Sequence, residues 1–535
     1  MPRIALAQID VTVGDVGANA DACVAAISSA RAAGAELVLL PELAITGYPP
    51  EDLLAKDHFV DDAREALDRV AAEATGIRAM VGFVEREEDG LFNAAAVCEG
   101  GVVAQVYRKR RLPNYGVFDE ERYFEPGQWH SMFDLGGLVA ACTICEDIWV
   151  PNIAVDAAHE GADIVLNISA SPFHAGKGLE REEMLRTRAR DSGVWLAYCN
   201  LVGGQDELVF DGRSVLISPD GEVFARALAF EPDLLVCDIP APGETAVAGR
   251  MEDLLAGEEE VYRALTWGLR DYFAKNGFTD AVLGLSGGID SALTAALAVD
   301  ALGARHVHGV LLPSRYSSPG SISDAEGLAA NLGIDCRTLP IEGPFATLLE
   351  SLASSFADTR PDVTEENLQA RVRGTLLMAL SNKFGWIVLA TGNKSELSVG
   401  YSTLYGDMVG GFAPIKDVAK TAVWDLARWR NRRGEVIPAA SIDKAPSAEL
   451  SPGQRDVDSL PDYHVLDPVL KAYVEDDMSR DAIVAMGFDA AVVDRVCRMV
   501  DAAEYKRRQG PLGIKITEKA FGKDRRMPVT NRYRG

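Results

Sequence analysis

Residues 281–302 read AVLGLSGGIDSALTAALAVDAL, and the fold of the second half of the chain follows from them. The apolar run Ala281–Leu285 has the length of a buried strand, and the alanine- and leucine-rich run Ala292–Leu302 has the length and propensity of a helix. Between them stand Gly287 and Gly288, where the backbone can turn sharply with no Cβ in the way. Amides at such a strand-to-helix turn point at an anion, helped by the helix dipole. Ser286 and Ser291 add hydroxyl donors, and Asp290 is a carboxylate suited to the magnesium that travels with a nucleotide. No Gly-Lys-Ser/Thr is present here, which excludes the Walker loop of kinases and GTPases.

Outward from this loop, strands are predicted at His306–Leu312, Asp335–Pro340 and Trp386–Ala390, each followed by helix-length sequence, as a doubly wound parallel sheet requires. The pattern opens with an acidic helix start at Glu258–Glu260. Before it, the proline- and glycine-bearing stretch at 239–245 reads as a linker, so two domains are expected, 1–245 and 246–535. In the first, helix Asn19–Ala33 leads through Gly34 into strand Glu36–Leu40. Further strands are predicted at Ala79–Val84, Asn93–Cys98, Val102–Tyr107, Leu138–Ile144, Ile164–Ile168, Val194–Asn200, Ser214–Ser218 and Glu222–Arg226, the last two joined by the turn Pro219-Asp220-Gly221. Many strands with few helices between them suggest a layered α/β domain with two sheets rather than a simple Rossmann wrap.

Composition narrows the function. The 535 residues are 48% hydrophobic and 25% charged, which is globular, and the formal charge of −27 repels nucleic acid and anionic membrane. No nucleic-acid or membrane partner is expected. In MPRIALAQID the apolar run is only four residues long, too short for a signal-peptide core, and it reads as a first strand. No apolar stretch reaches the ~18 residues of a membrane helix. Eight scattered cysteines include one close pair, Cys142 and Cys145, with no second pair to complete a zinc site. A soluble, reduced, cytoplasmic enzyme is therefore expected. Residues 505–535 reverse the charge, with ten Lys/Arg against two acids; they read either as a solvated tail or as the phosphate-contacting edge of a site.

Three polar residues follow predicted strands of the first half: Glu42 in LLPEL, Lys109 in VYRKRRLP and Cys145 in CTICEDIW. Carboxyl ends of strands are where α/β folds build sites. Acyl transfer from an amide needs a nucleophile, a proton shuttle and a positive group near the oxyanion, and Cys, Glu and Lys supply these in that order. Taken singly, each has a plainer reading: an inert core cysteine, a basic surface run, a helix cap.

The hexapeptide SGGIDS resembles the pyrophosphate loop of the ATP pyrophosphatase superfamily, which cleaves ATP between its α and β phosphates and adenylylates a substrate. Glu42, Lys109 and Cys145, in that chain order over residues 2–240, resemble the triad of the carbon–nitrogen hydrolase (nitrilase) family. Joined in one chain, they resemble the glutamine-dependent NAD synthetase family. Further motifs of that family stand here as KRRLPNYGVFDEERYFEPG, LLPSRYSS, ENLQARVRG, LATGNKSEL, PIKDVAKT, KAPSAEL and EYKRRQ.

The resemblance implies an N-terminal nitrilase-like α/β/β/α domain and a C-terminal domain like the adenine nucleotide α-hydrolases. It implies that Cys145 attacks glutamine, with Glu42 as general base and acid, Lys109 at the oxyanion and Glu120 as an additional carboxylate. Tyr115, Ser171 and Lys177 would hold the glutamine. In the second domain Gly284, Leu285, Ser286, Gly287, Gly288, Ile289, Asp290 and Ser291 would wrap the phosphates of ATP, with Thr391 and Lys420 as further contacts. Asp290 and Glu396 would hold Mg2+, and Asn367, Glu396 and Lys506 would contact deamido-NAD. The resemblance further implies a passage for neutral ammonia and a homo-oligomer, an octamer being one such size, whose synthetase domains pair. One departure is Arg110-Arg111 after Lys109, where histidines are common in the family. Two rivals differ in kind: an amidotransferase for another acceptor, and a binding module whose sites are dead.

Overall fold

The computed structural model describes residues 1–240 and 249–533. They divide into two compact units, Met1–Ala256 and Gly257–Gly535. The expected linker at 239–245 and the boundary after 245 lie, from residue 241 onward, outside the described residues.

Two six-stranded sheets build the first unit. One orders its strands Asp233–Asp238, Arg3–Gln8, Leu37–Leu39, Arg78–Glu87, Gly90–Glu99, Val102–Arg108; the other runs Val223–Arg226, Val215–Ile217, Trp195–Asn200, Ile164–Ser169, Leu138–Ile144, Met132–Leu135. Strand alternation sorts the side chains. Ile4 and Leu6 enter a core shared with Leu166 and Ile168 of the other sheet, while Ala5 and Ala7 pack beneath the helices Val16–Ala32 and Asp57–Glu73. On the far side, Ala141 and Val165 pack under Pro151–His159 and Lys177–Ser192. The result is the expected α/β/β/α layering. Leu6→Ala would open a cavity between the sheets at a cost of about 2–5 kcal/mol.

Strand direction positions the site. Arg3–Gln8, Leu37–Leu39 and Arg78–Glu87 are parallel. Val102–Arg108 lies two antiparallel steps from Arg78–Glu87 and so runs the same way. Glu42 and Lys109 therefore leave the same edge of one sheet, and Cys145 leaves the carboxyl edge of the parallel trio in the other. Sequence patterning missed four strands, namely Met132–Leu135, Val202–Gln205 with its hairpin partner Leu208–Asp211, and Asp233–Asp238, which pairs antiparallel with Arg3–Gln8; it also gave no bounds for the helices Asp57–Glu73, Pro151–His159 and Lys177–Ser192.

The second unit carries a four-stranded parallel sheet ordered Asp335–Thr338, Val307–Leu311, Ala281–Gly284, Ile387–Val388. Chain order reverses beside Ala281–Gly284, which makes its carboxyl end the switch point where doubly wound sheets bind ligands. The loop 284–291 and the segment after Ile387–Val388 both emerge there. Two expected strands are shorter than predicted. Asp335–Thr338 stops before Pro340, which has no N–H for the ladder, and Ile387–Val388 is a two-residue strand. The helix after the glycines starts at Ile289, inside the loop rather than at Ala292. A helical layer supports the site from below. Val493, Val496, Cys497 and Val500 of Ala490–Ala502 recur at helical spacing and share a core with Val399, at the end of the helix Lys394–Val399. No helix among the described residues is long and apolar enough to cross a membrane.

Candidate active sites

In the first unit the expected residues converge. Lys109 Nζ lies 2.6 Å from Glu42 Oε1 and 2.8 Å from both Glu120 oxygens, with no exposed surface on the lysine or on Glu42. Glu42 Oε1 also accepts from Asn93 Nδ2 at 2.8 Å, and Oε2 from the Ala170 N–H at 2.8 Å. Tyr48 donates its hydroxyl to Glu120 Oε1 at 2.9 Å. Two carboxylates thus share one ammonium in a dry site. Burial lowers the affinity of Lys109 for its proton, but Glu120 and Glu42 outweigh it and hold the ammonium charged. Burial, with Glu42 as a second negative charge, pushes the Glu120 carboxyl up to about 7 despite Lys109.

Cys145 ends the strand Leu138–Ile144 at φ 43°, a left-handed conformation that costs a non-glycine residue about 1–3 kcal/mol. Its thiol is buried and is pushed well above its ordinary value by burial and then by Glu42. At neutral pH it rests as a thiol, so the nucleophile must form by proton transfer to a nearby base at the moment of attack.

The expected glutamine-holding residues are found in different states. Ser171 is buried and its N–H donates to Asn200 Oδ1 at 2.9 Å. Tyr115 is exposed and donates to Glu146 Oε2 at 3.0 Å. Lys177 lies over the Trp149 ring at 4.0 Å, and burial lowers its pKa. Glu146, the neighbour of Cys145, feels the charge of Lys177 and joins these two residues; sequence reading passed over it. It also passed over Asn93 and Tyr48. Asn93 had left a signal, a polar side chain in the apolar strand Gly90–Glu99, where burial demands a partner. The unusual arginines after Lys109 point elsewhere: Arg110 contacts His130 Nε2 at 2.8 Å, and Arg111 is exposed.

In the second unit a cavity of about 330 Å³ opens at the switch point. Every residue of 284–291 except Gly287 lines it, together with Thr391, Glu396 and Lys420. Gly287 is turned away at φ 76°, and a Cβ there would stand 2.1 Å from the Ser321 carbonyl oxygen. The serines brace the loop internally: Ser291 Oγ donates to the Gly288 carbonyl at 3.0 Å, and the Gly288 N–H donates to Ser286 Oγ at 3.2 Å.

Lys420 Nζ bonds Asp290 Oδ2 and lies 3.4 Å from Glu396 Oε1. Asn393 ties the Asp290 carboxylate to the backbone of Glu396, since Nδ2 donates to Asp290 Oδ1 at 2.9 Å and Oδ1 accepts the Glu396 N–H at 3.0 Å. Burial, with Asp290 nearby, pushes Glu396 up to about 8 against the pull of Lys420. Asp456, held by Tyr463 OH at 2.9 Å, is a third carboxylate whose charge reaches this group. Among the described residues, no cluster of three His, Cys, Asp or Glu side chains could hold an ion unaided. The oxygen donors of Asp290 and Glu396 fit a hard divalent cation that takes its remaining ligands from phosphates and water.

Asn367 and Lys506 do not line the cavity. Asn367 Oδ1 accepts from Thr403 Oγ1 at 2.7 Å, and Lys506 Nζ donates to the Gly400 and Ser402 carbonyls, each at 2.7 Å. Both clasp the segment that follows the helix bearing Glu396. Arg373 and Asp456 are additions from the structure, whereas Asn393 follows the predicted strand Trp386–Ala390 beside Thr391 and Glu396; partial burial lowers the Arg373 guanidinium to about 10.

The sequence of residues 3–248 matches the carbon–nitrogen hydrolase family, and residues 261–510 match the NAD synthase family. A glutamine-dependent NAD(+) synthetase of Thermotoga maritima is 46% identical over 99% of this chain and 99% of its own. One from Xanthomonas campestris is 48% identical over 100% of this chain and 98% of its own. The solved glutamine-dependent NAD+ synthetase of Acinetobacter baumannii, in complex with ADP, is 42% identical with a TM-score of 0.81, covering 99% of this chain and 98% of that one. A similar synthetase from Cytophaga hutchinsonii shares the fold, at a TM-score of 0.86 and 23% identity. With two family matches and relatives near half identity over the whole length, the chain belongs to the glutamine-dependent NAD(+) synthetase family of ligases.

Proposed function

We propose that the chain makes NAD from deamido-NAD, ATP and glutamine, with the glutaminase in residues 1–245 and the synthetase in 246–535. In the first site Glu42 takes the Cys145 thiol proton as sulfur attacks the side-chain amide carbon of glutamine. Lys109 stabilises the oxyanion, and Glu42 returns the proton to the departing nitrogen, which leaves as ammonia. Water then opens the thioester, giving glutamate and restoring the thiol. Tyr115, Ser171 and Lys177 hold the glutamine, and Glu120 keeps Lys109 in place.

In the second site the nicotinate carboxylate of deamido-NAD attacks the α-phosphorus of ATP, and pyrophosphate leaves. Ammonia then attacks the acyl carbon of the adenylate, and AMP leaves. The loop 284–291, Thr391 and Lys420 bind ATP, and Asn367, Glu396 and Lys506 bind deamido-NAD. Asp290 and Glu396 would hold the magnesium, which neutralises phosphate charge when bound. The working form is a cytoplasmic homo-oligomer, which light scattering checks against the 57.5 kDa of one chain.

The observation that supports this reading is that one chain holds both ion-paired clusters: Lys109 between Glu42 and Glu120 beside Cys145, and Lys420 between Asp290 and Glu396 at the glycine loop. The test supplies deamido-NAD, ATP and magnesium with glutamine or ammonium, and follows NAD and AMP. The reading expects both nitrogen sources to work. AMP released with a different acceptor, and none with deamido-NAD, would overturn it.

A further inference from the structure

The carboxylate of Asp147 is fully buried, two residues after Cys145, and no step above uses it. It accepts four hydrogen bonds. Oδ2 takes the Ile144 N–H at 3.0 Å and the Tyr107 hydroxyl at 2.7 Å; Oδ1 takes the N–H of Arg110 at 3.1 Å and of Arg111 at 2.9 Å. Ile144 immediately precedes the nucleophile, while Tyr107, Arg110 and Arg111 flank Lys109 on both sides. One side chain therefore pins together the ends of two strands from different sheets, Leu138–Ile144 and Val102–Arg108.

We infer that Asp147 is the positioning residue of the glutaminase site, setting the distance between the Cys145 sulfur and the Lys109 ammonium. The inference rests on the reading of Cys145 and Lys109 proposed above. Three arguments support it. First, Asp147 links the backbone beside the nucleophile, at Ile144, directly to the backbone beside Lys109, at Arg110 and Arg111, whereas the other polar tie between the sheets at this site, the Ala170 N–H to Glu42, holds Glu42 and does not reach the turn that carries Cys145. Second, Cys145 is held at positive φ, a strained conformation that persists only where its surroundings over-determine it, and the Ile144 N–H to Asp147 bond closes that turn. Third, the acceptor count demands a carboxylate. All four partners are donors as placed, and an asparagine offers one oxygen while its amide nitrogen would face the Ile144 N–H.

The test compares Asp147→Asn, Tyr107→Phe, Cys145→Ala and wild type in three assays: glutamine hydrolysis, ammonium-supported NAD synthesis, and alkylation of Cys145 by iodoacetamide across pH. Ammonium-supported synthesis uses the other unit and reports that it is intact, while circular dichroism and thermal melting report that the glutaminase unit has folded. For Asp147→Asn the expected result is a fall of about 10²-fold in glutaminase kcat, because a misplacement near 1 Å costs that much, with KM changed less than about threefold. Its alkylation profile should move to higher pH as the thiol loses the fixed ammonium. Tyr107→Phe, which keeps three donors and the ring, should lower kcat several-fold with KM unchanged and keeps the inference testable if Asp147→Asn does not fold. Wild-type kcat in either folded variant, or a fall in kcat with an unmoved alkylation profile, would overturn the inference. If Cys145→Ala still hydrolyses glutamine, the nucleophile itself is misassigned and the fault lies in the underlying reading.

Discussion

Each of the two candidate sites centres on a buried lysine, and the two lysines stand in nearly the same arrangement. Lys109 lies between Glu42 and Glu120, and Lys420 between Asp290 and Glu396. In each case one carboxylate is raised, Glu120 to about 7 and Glu396 to about 8, because burial disfavours its charge and the second carboxylate repels it, against the pull of the shared ammonium. The surroundings differ. Lys109 has a thiol for a neighbour in a closed site, held by strand ends pinned at Asp147. Lys420 has a glycine loop, a third carboxylate and a cavity of about 330 Å³. The charge motif is common to both, and under the proposed function the neighbours decide the chemistry: a nucleophile on one side, a triphosphate cradle on the other. It follows that each cluster should fail alone.

The largest expected effect that sharpens this contrast is Asp290→Ala. It leaves Lys420 with Glu396 as its ion-pair partner and, under the proposed function, removes an oxygen ligand from the phosphate site. NAD and AMP formation should cease with glutamine and with ammonium alike, while glutamine hydrolysis continues; a single assay of glutamate and AMP on the same sample checks both.

Next is Glu120→Gln, which should lower glutamine hydrolysis by about 10²-fold and leave ammonium-supported synthesis untouched. It also carries a pH signature. Glu120 rises from 4.5 to about 7 on folding, so the folded protein binds this proton more tightly than the unfolded chain. The stability the group contributes is fully present below pH 4.5 and is lost as pH rises through about 7. Glutamine cannot ionise, so the melting temperature of the variant relative to wild type should climb between those limits and then level. A difference that stays flat or falls across that window contradicts the placement of two carboxylates on one ammonium.

Gly287→Ala tests the other side by shape rather than charge. A methyl group 2.1 Å from the Ser321 carbonyl oxygen forces the loop to move, at an expected cost of about 1–3 kcal/mol, and weakens ATP binding without touching glutamine hydrolysis. The smallest effect is expected from Tyr48→Phe. It removes one donor from Glu120 at a cost near 1 kcal/mol, seen as a modest loss in glutaminase kcat.

The reach of the sequence followed the range of the contacts involved. Strand-to-loop transitions were legible because they are local: LLPEL, CTICEDIW and LSGGIDS each couple an apolar run to a polar residue at its carboxyl end, and the structure places Glu42, Cys145 and Asp290 there. Asp233–Asp238 was not legible, since its partner is the amino-terminal strand some 230 residues away, nor was the short hairpin Val202–Gln205 with Leu208–Asp211, where Gly203 and Gly204 hide the alternation. The same limit governed the sites. Asn93 acts on Glu42 across 51 positions and Tyr48 on Glu120 across 72, so the partners could not be read locally even where a polar residue in an apolar strand hinted at one; Asn393 stands at the carboxyl end of the predicted strand Trp386–Ala390, but its bond to Asp290 spans 103 positions. Family motifs carried Asn367 and Lys506 further than the geometry does, because in the structure both hold backbone carbonyls or a threonine rather than the cavity wall.

The central claim is that the two clusters are chemically separate sites in one chain, and Cys145→Ala tests it most directly. The substitution removes the sulfur and adds no bulk, so a fold cost near 1 kcal/mol is expected. NAD synthesis is measured with glutamine and, in parallel, with high ammonium at alkaline pH, where more of the nitrogen is neutral ammonia. The account predicts no NAD from glutamine and undiminished NAD from ammonium. NAD still formed from glutamine, or a folded variant that fails with ammonium, would contradict it.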